Sequence, residues 1–464
     1  MNGRGYYQSV VSLDRRDFIA GGSTAALLAL LQGKLSAQEK PKPAAAPEEP
    51  KKPVGPPVKC GVIGCGVWGR ELINGLLRLP NAPITAICDH YPAFLNRAKN
   101  LAPNAKAYAS HAELLADKEV EAVLIATPTH QHRALVEAAL KAGKHVYCEA
   151  PLAHTIEEAR AIAKSAKAAV KSNFQSGLNL RSDPQRLFLL PFIRSGAMGA
   201  PLRTRAQRNK KESWRRASPN PEREKEINWR LDKLTSAGLI GEIGIHQLDL
   251  IHWMLSTRPA AVQGYGRTLQ WKDGRTVPDT VHAIFEYANG MTSSYESTLG
   301  NSFDGEYEMM YGSDAAIMIR QNKAWMFKEV DSPLLGWEVY ARKDQFHKET
   351  GIALVANATK LVAQGENATD EVPPTQTPLH FALEAFIANS DITGTAVRDF
   401  AENFDITDIK ALREYIATTA KSRMPAAGAD EGFESAVVAI KAHEATLNNS
   451  RIVFQDDWFK IATS

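Results

Sequence analysis

The sequence predicts an α/β protein of two domains: a parallel sheet with helices on both faces, then an α/β domain with an open, mainly antiparallel sheet. From residue 58 to about 178, short apolar runs alternate with helical patterns, as expected for βαβ units. Further along, strand-like runs flank Asn289-Gly290, which is a strong hairpin signal. The chain has 464 residues, 44% hydrophobic and 23% charged. This is typical of a globular protein with more than one domain.

Residues 1–37 have the parts of an export signal. Arg15 and Arg16 precede a mildly apolar run, Phe18 to Leu31, and the small residues Ser36 and Ala37 follow it. The arginine pair resembles the twin-arginine (Tat) motif, and the apolar run is too short for a stable membrane anchor. We therefore expect the Tat machinery to export the folded protein to the periplasm or another extracytoplasmic compartment.

The alternative for this region is an accidental arginine pair before a buried helix. The segment that follows, residues 38–57, is rich in proline, alanine, glutamate and lysine. Such a composition cannot form a packed core. We interpret residues 38–57 as a linker.

A glycine-rich loop opens the first domain. The apolar run from Val58 to Ile63 ends in a G-x-G-x-x-G sequence, after which a helical pattern begins. This order of strand, loop and helix predicts a dinucleotide-binding Rossmann unit, because the glycines allow a tight turn and let the backbone approach a pyrophosphate. The candidate cofactor-binding residues in the loop are Gly64, Gly66, Val67, Trp68 and Gly69.

A carboxylate at the end of the second strand bears on the choice of cofactor. The apolar run Ile84 to Cys88 ends at Asp89, about 20 positions after the glycine loop, where a carboxylate accepts the hydroxyls of the adenosine ribose. The same charge repels a 2′-phosphate, and the next residue is His90 rather than an arginine. The sequence therefore predicts NAD rather than NADP as the cofactor.

The alternating pattern continues and completes a Rossmann domain over residues 58–178. Thr155 and Glu158 form a capping box before the second helix in this stretch. The strands and helices predicted here are Val120–Ala126, Gln131–Ala142, His145–Cys148, Ile156–Ala169 and Asn173–Gly177. Residues 179–464 form the predicted C-terminal domain.

Two segments of the first domain resemble the central signature of the Gfo/Idh/MocA superfamily, named for glucose-fructose oxidoreductase and inositol dehydrogenase. They are Ala126-Thr127-Pro128-Thr129-His130-Gln131-His132 and Ala142-Gly143-Lys144-His145-Val146-Tyr147-Cys148-Glu149-Ala150-Pro151. The resemblance implies that Thr127 and Pro128 line the nicotinamide side of the cofactor, with His132 behind them. It also implies that Glu149 binds near the nicotinamide ribose.

One position departs from the pattern of the family. The family usually has Glu-Lys-Pro, and its lysine is assigned to polarise or deprotonate the substrate hydroxyl. Here the triplet is Glu149-Ala150-Pro151. The usual partner for proton transfer is absent, whereas NAD binding depends on other residues.

The second domain is predicted to be built on antiparallel strands. The hairpin Thr280–Ala288 and Met291–Leu299 is followed by strand-like runs at Glu306–Tyr311, Ala316–Arg320 and Trp325–Glu329. Helices are predicted at Pro378–Asn389 and Gly432–Leu447, with a charged helical insertion at Ile406–Lys421. An open sheet covered by helices on one face fits the C-terminal domain of the family, and we expect a homo-oligomer formed through this sheet.

A polar stripe is predicted on the helix around residue 246. If this stretch is α-helical, Glu242, His246, Asp249 and Trp253 lie on one face, at spacings of four, three and four. The run resembles the family's Asp-x-Gly-x-His-x-x-Asp motif, with Glu242 in place of the first aspartate. The resemblance implies that His246 faces the nicotinamide, so we predict His246 and Glu242 as catalytic residues. The alternative is a core histidine paired with Glu242.

Four residues are candidates for substrate binding: Arg181, Trp229, Arg230 and Asp249. An aromatic face can stack on the C–H groups of a sugar, and arginine donates to hydroxyls. Each of the first three could equally serve packing or lie at the surface.

Charge and cysteine content disfavour two other classes of function. The net charge is +3, and the basic stretch Arg203–Arg230 lacks a recognisable nucleic-acid-binding module, so we interpret it as a solvated surface. The four cysteines do not form the close pairs of a zinc site. The sequence predicts neither nucleic-acid binding nor a metal.

Three functions remain open. The first is a dehydrogenase for the CH–OH group of a sugar or polyol, with a tightly held NAD. The second is an NAD-dependent glycosidase that oxidises, eliminates, hydrates and re-reduces its sugar. The third is a non-catalytic protein that binds NAD and a sugar. Loss of the lysine at Ala150 favours the second and third, whereas His246 with Glu242 favours the first two.

Overall fold

A computed structural model describes residues 55–461 except 219, 322, 334–342, 347–348 and 355–375. The predicted export signal and residues 38–54 of the predicted linker lie outside the described residues. Within the described part of the chain, no helix is both long and apolar enough to cross a bilayer.

The first sheet has six parallel strands in the order β3-β2-β1-β4-β5-β6. The order reverses between β1 and β4, and such a switch point is where open α/β sheets bind ligands. The Rossmann prediction is confirmed. The strands are β1 (Cys60–Ile63), β2 (Ile84–Cys88), β3 (Lys106–Tyr108), β4 (Ala122–Ile125), β5 (His145–Cys148) and β6 (Phe174–Ser176).

Five helices cover the faces of this sheet. Two of them, over Pro92–Leu101 and His111–Ala116, and the short, largely exposed strand β3 were not predicted; the second helix and the strand are only six and three residues long. The Thr155 hydroxyl accepts the N–H of Glu158, as the predicted cap requires. The helices are α1 (Val67–Leu76), α2 (Pro92–Leu101), α3 (His111–Ala116), α4 (His132–Lys141) and α5 (Ile156–Ala168).

The second sheet has ten strands in the order β14-β15-β13-β12-β11-β7-β10-β9-β8-β16. Every neighbouring pair is antiparallel except β7 and β10, which are parallel. The prediction of an open, mainly antiparallel sheet is confirmed. The strands are β7 (Pro201–Asn209), β8 (Pro259–Arg267), β9 (Thr280–Tyr287), β10 (Thr292–Thr298), β11 (Glu306–Gly312), β12 (Ala315–Arg320), β13 (Lys323–Lys328), β14 (Lys343–Phe346), β15 (Glu349–Leu354) and β16 (Arg451–Val453).

Strand β7 lies in the middle of this sheet although its sequence is basic. The stretch Arg203–Arg230, which we interpreted as a solvated surface, therefore begins inside a central strand, residues 201–209. Its arginines are accommodated by partners on the neighbouring strands: Arg205 pairs with Glu296, and the Arg203 guanidinium lies 4.2 Å from the centre of the Tyr311 ring.

Six further helices complete the described chain: α6 (Pro184–Arg194), α7 (Pro221–Ile227), α8 (Ile245–Leu255), α9 (Pro378–Asn403), α10 (Ile409–Ala417) and α11 (Ala429–Asn448). Helix α9 continues well beyond its predicted end at Asn389. Its last turns are held by buried residues such as Thr393 and Phe400 rather than by a simple apolar period, which is a case of packing overriding local propensity.

The last helices return to the first domain. Phe386 of α9 packs against Tyr147 of β5, with ring centres 5.7 Å apart. On α11, Phe433 belongs to the core that also contains Ile156, whereas Val438 belongs to the core beneath the second sheet. Helix α11 is thus shared by both domains, and the end of the Rossmann core cannot be placed at one position in the chain.

Candidate functional site

The glycine loop has the geometry of a pyrophosphate site. Gly64 has a φ of +91°, and a Cβ there would lie 2.9 Å from the backbone of Thr127. A Cβ on Gly69 would lie 1.8 Å from the Gly64 carbonyl oxygen, whereas a Cβ on Gly66 would meet nothing within 4 Å. Helix α1 begins at Val67 without a side-chain cap. Its first N–H groups therefore fit an anion that approaches through the space beside Gly66.

Asp89 is fixed at the end of β2. Its Oδ2 accepts the N–H of Cys65 and its Oδ1 accepts the N–H of Tyr91, each at 2.8 Å. The side chain is largely buried. The carboxylate thus lies beside the glycine loop, where it has further lone pairs for ribose hydroxyls.

At the ends of β4 and β5, two buried polar atoms have no partner. The Thr127 hydroxyl and Glu149 Oε1 make no hydrogen bond to any described residue. Burial raises the pKa of Glu149 to about 7, although contacts with Trp68 and Tyr147 act in the opposite direction. Such orphaned groups fit a ligand that supplies the missing bonds. The glycine loop with Asp89, and the ends of β4 and β5 with Thr127 and Glu149, therefore fit the two ends of a bound dinucleotide.

His132 is buried between two loops. Its Nδ1 lies 3.1 Å from the Pro151 carbonyl oxygen, and its Nε2 lies 3.0 Å from the Thr127 carbonyl oxygen. Burial lowers its pKa to about 4, while the carbonyl contacts favour the protonated form. His132 links the loop after β4 to the loop after β5, and Pro128 begins the short helical turn that follows. A place for His132 behind the cofactor remains a prediction.

The structure does not bring the predicted catalytic pair together. Glu242 accepts the Thr129 hydroxyl at 2.9 Å and the N–H of Ala237 at 2.9 Å, and it makes no described bond to His246. Residues Ile240–Gly244 form a π-helical turn before α8. A π-helical turn holds more residues than an α-helical turn, so the predicted spacing of four does not align the two side chains. Glu242 instead ties the second domain to the loop after β4.

His246 is half-buried, and no described residue hydrogen-bonds to its ring. Burial lowers its pKa to about 4; the Asp249 carboxylate opposes this, and the Arg208 charge adds to it. The ring is therefore neutral at pH 7 and can accept a proton. Its neighbour Ile245 belongs to the apolar cluster against which Ala150 packs, so α8 begins beside the loop that carries Glu149.

Two predicted substrate contacts satisfy each other. The Arg181 guanidinium donates to both oxygens of Asp249, at 2.8 to 3.3 Å, and Ser435 donates to Asp249 Oδ1 at 2.6 Å. Arg181 also lies over the Trp253 ring at 5.3 Å. Asp249 is buried. Because a buried, saturated carboxylate has little left to offer a sugar, we correct the interpretation of this pair: it connects α8 to α11 and to residue 181.

Trp229 and Arg230 lie where the two domains meet. The Arg230 guanidinium lies 5.0 Å from the centre of the Trp229 ring. Its charge opposes the burial that raises the pKa values of Glu149 and Glu242, so it lies near both. The sequence interpretation did not single out His130, whose ring centre is 6.2 Å from that of Trp229. His130 lies between Thr127 and His132 in the family motif, and this position could have identified it as a candidate.

A cavity of about 620 Å³ opens beside Trp229. It lies between α7, the loop around residue 274 and the turn after β4. His246 and Glu149 do not line it, so it is a neighbouring cavity rather than the centre of the candidate site. It is lined by His130, Arg215, Pro221, Glu222, Glu224, Lys225, Glu226, Asn228, Trp229, Leu231, Asp232, Thr235, Gly274 and Thr276.

The described residues offer no cluster suited to a metal ion. No group of three or more histidine, cysteine, aspartate or glutamate side chains within them has the required arrangement. All four cysteines are buried free thiols. Burial, with the nearby Asp89 charge, raises the pKa of Cys65 and of Cys88 to about 12. These thiols therefore stay protonated.

Known proteins resemble both domains. Residues 58–175 match the model of an oxidoreductase family with an NAD-binding Rossmann fold, and residues 191–318 match the GFO/IDH/MocA C-terminal domain. The inositol 2-dehydrogenase/D-chiro-inositol 3-dehydrogenase of Shouchella clausii is 33% identical over 201 residues, 43% of this chain and 53% of that protein. The inositol 2-dehydrogenase of Acidothermus cellulolyticus is 29% identical over 247 residues, 52% and 66% of the two chains. This chain thus covers about half to two thirds of these relatives.

Solved structures share the fold. Levoglucosan dehydrogenase in complex with NADH matches with a TM-score of 0.64 and 19% identity over 85% of this chain and 98% of that chain. The aldose-aldose oxidoreductase of Caulobacter crescentus, complexed with glycerol, matches with a TM-score of 0.58 and 17% identity over 86% and 100% of the chains. Because family models match the dinucleotide-binding domain and the C-terminal domain in the order seen here, the chain belongs to the GFO/IDH/MocA family of oxidoreductases.

Proposed function

We propose that this protein is an NAD-dependent oxidoreductase that oxidises a CH–OH group of a sugar or polyol and retains its cofactor tightly. The main support is a pair of buried atoms without hydrogen-bond partners among the described residues, Thr127 Oγ1 and Glu149 Oε1, together with the half-buried ring of His246. We expect these two atoms to face the nicotinamide end of the dinucleotide, and α8 begins beside the loop that carries Glu149. Inositol and levoglucosan dehydrogenases among the similar proteins support a polyhydroxylated substrate.

The residues of the candidate site have separate roles in the proposed reaction. The loop at Gly64 and Gly66 holds the pyrophosphate, and Asp89 accepts the adenosine ribose hydroxyls. Bound NAD supplies the hydride acceptor. Neutral His246 accepts the hydroxyl proton of the substrate, and the Asp249 charge favours the protonated ring that results. Glu242 is a positioning residue, because its bond to Thr129 fixes α8 against the first domain.

Trp229 and Arg230 remain the candidates for contacts with the substrate. Trp229 lines the cavity of about 620 Å³, and its ring offers an apolar face on which sugar C–H groups can stack. His130 lines the same cavity. We propose that the substrate enters through this cavity and reaches His246 at the domain junction.

The replacement of the usual lysine by Ala150 favours a second candidate, an NAD-dependent glycosidase with no net redox change. Residue 150 is an alanine, so this position has no ionisable group, and it packs against the apolar cluster that contains Leu178 and Ile245. In a glycosidase the same His246 would move the proton next to the oxidised carbon. The third function is binding of NAD and a sugar without turnover. It predicts neither oxidation of the sugar nor cleavage of a glycoside.

One assay separates these functions. Purified protein loaded with NAD is incubated with myo-inositol, levoglucosan, D-glucose and p-nitrophenyl glycosides, and NADH absorbance and nitrophenol release are both followed. We expect NADH formation with at least one polyol or sugar. Nitrophenol release that depends on NAD without NADH accumulation would favour the glycosidase. Binding of NAD with neither product would favour the non-catalytic protein.

The location of the protein is a separate proposal. We propose export through the Tat pathway, with processing near Ala37, on the sequence of residues 1–37 alone. Replacing Arg15 and Arg16 by lysine should leave the precursor in the cytoplasm, measured by fractionation and immunoblotting. Normal maturation of that double variant would contradict Tat recognition.

The homo-oligomer through the second sheet also stays a proposal. Light scattering of the purified protein measures its mass directly. Ile284 lies exposed on strand β9, and Ile284→Asp tests whether this face is involved. A monomeric mass for the wild type would contradict the proposal.

A further inference from the structure

The adenosine end of the candidate cofactor site includes a segment of the second domain. Helix α7 (Pro221–Ile227) lies against the residues that follow Asp89 on the first domain. The Arg223 guanidinium lies 4.0 Å from the centre of the Tyr91 ring and 5.1 Å from that of Phe94. Its side chain is 10% exposed. Arg223 is therefore a cation held at a fixed place beside the ribose-binding carboxylate, supplied by a part of the chain far from the Rossmann motif.

His90 connects Asp89 to this helix. Its Nδ1 lies 3.8 Å from Asp89 Oδ1, and its Nε2 lies 3.4 Å from Arg223 Nη1. Arg223 is thus one imidazole ring away from the carboxylate that is expected to hold the 2′ and 3′ hydroxyls. A 2′-phosphate on the same ribose would project into this neighbourhood, where the N–H groups of a guanidinium and of an imidazole are good donors to it.

Glu226 pairs with one nitrogen of each of these potential partners, while the buried Arg223 Nε has no hydrogen-bond partner among the described residues. Glu226 Oε2 pairs with Arg223 Nη1 at 2.6 Å, and Glu226 Oε1 pairs with His90 Nε2. The region therefore presents the carboxylates of Asp89 and Glu226 where a phosphate would need free cations. Like charges at this range disfavour a phosphate dianion, and the guanidinium cannot serve two anions with the same N–H groups.

The helix that carries both residues is firmly attached. Asn220 accepts the N–H groups of Glu222 and Arg223, and Asn228 donates to the carbonyl of Glu224. Arg215 pairs with Glu224 at 2.9 Å. The positions of Arg223 and Glu226 are therefore set by the fold of the second domain.

We propose that Glu226, acting with Asp89, makes the adenosine site selective for NAD over NADP by engaging Arg223 and His90. The proposal rests on the proposed NAD-dependent function. It assigns a selectivity residue to α7 of the second domain, a helix that does not belong to the Rossmann fold. Removal of the Glu226 charge releases a guanidinium and an imidazole for a 2′-phosphate.

The test uses Glu226→Gln in the full protein and measures binding rather than turnover. The probes are NAD, NADP, and the fragments 5′-ADP and 2′,5′-ADP, titrated by calorimetry against nucleotide-free protein. We expect NADP and 2′,5′-ADP to bind to Glu226→Gln roughly 10- to 100-fold more tightly than they bind to wild type. This is the range for one charge-assisted hydrogen bond. Affinity for NAD and 5′-ADP should change by less than about threefold. Glu286→Gln is the matched control, because Glu286 also pairs with an arginine, Arg451, on the far sheet.

A second variant identifies the cation. In Glu226→Gln/Arg223→Met the gain for 2′,5′-ADP should fall back to within a few fold of wild type, while thermal denaturation checks that the helix remains folded. If wild type binds NAD and Glu226→Gln gains nothing for NADP, the proposal is wrong although the proposed function stands. Wild type that binds neither NAD nor 5′-ADP would overturn both.

Discussion

The two ends of the candidate cofactor site are built in opposite ways. At the adenosine end, Asp89 has both oxygens bonded to backbone N–H groups, and Glu226 pairs with Arg223. At the predicted nicotinamide end, Thr127 and Glu149 have buried atoms to which no residue in the described part of the chain hydrogen-bonds. The charged groups of the first end are paired within the protein, although Arg223 Nε has no hydrogen-bond partner among the described residues, whereas the second end has two unpartnered carboxyl and hydroxyl oxygens.

This difference separates recognition from chemistry. Charges that are paired within the protein at one end can select among nucleotides at little cost, because the fold holds them in place. Buried groups without hydrogen bonds at the other end destabilise the protein when the site is empty. A ligand that supplies the missing hydrogen bonds recovers the free energy lost in burying these groups. The nicotinamide end should therefore be more sensitive to pH and to occupancy. Four predictions follow from this comparison, in order of expected effect.

The largest effect is expected at His246. His246→Ala should lower turnover by roughly a hundredfold to ten-thousandfold, as expected for loss of a general acid–base group, while NAD affinity changes little. Steady-state kinetics and NAD titration are the measurements. His252→Gln is the control, since His252 lies on the same helix but bonds to Tyr287. Full activity of His246→Ala would remove its catalytic assignment.

The second effect concerns stability against pH. Burial raises the pKa of Glu149 from 4.5 to about 7, so between these values the folded state holds a proton that the unfolded state has lost. The free energy of unfolding of the nucleotide-free protein should therefore fall as pH rises through this window. At roughly 1.4 kcal/mol per pH unit, the loss approaches about 3 kcal/mol.

Glu149→Gln should remove this contribution, so the protein should lose less stability between pH 5 and pH 7.5 than wild type. Urea denaturation at several pH values measures it. The exposed Glu434 provides the control variant Glu434→Gln. An unchanged pH dependence in Glu149→Gln would mean that Glu149 is ionised in the folded state. The buried carboxylate would then have partners that stabilise its charge, contrary to this prediction.

The third effect lies at the adenosine end. Asp89→Ala should narrow the preference for NAD over NADP by roughly tenfold, because it removes an acceptor for the ribose hydroxyls and a repulsive charge. Calorimetric titration with both nucleotides measures the change. A wild-type protein that binds NADP more tightly than NAD would contradict the role given to Asp89.

The smallest effect is expected for Ala150→Lys. The aliphatic stem of a lysine can lie along Leu178 and Ile245, with its amine directed toward solvent or substrate. If the protein is a dehydrogenase, turnover should stay within about threefold of wild type or increase. A substitution whose charged end reaches solvent usually has a small effect. A large loss of activity with intact NAD binding would favour a site built for another reaction.

Local sequence specified the first domain well. The strands predicted from apolar runs at Ile84–Cys88 and His145–Cys148 coincide with β2 and β5, because a buried parallel strand is apolar throughout and bounded by turn residues. Strand β7 was missed for the converse reason. Its arginines lack the strand pattern, and only partners on other strands, such as Glu296, stabilise them at the centre of a sheet.

The glycine loop, Asp89 and the motif around Thr127 were determined by the sequence itself, since each depends on backbone sterics or on charge within a few residues of a strand end. The tertiary structure alone decided that Glu242 bonds to Thr129 rather than supporting His246, and that Arg181 and Asp249 satisfy each other. It also placed Arg223 and Glu226 beside His90, more than 130 positions away. Partners of this kind depend on how helices and sheets pack, and a π-helical turn or a returning helix shifts them without leaving a pattern in the local sequence.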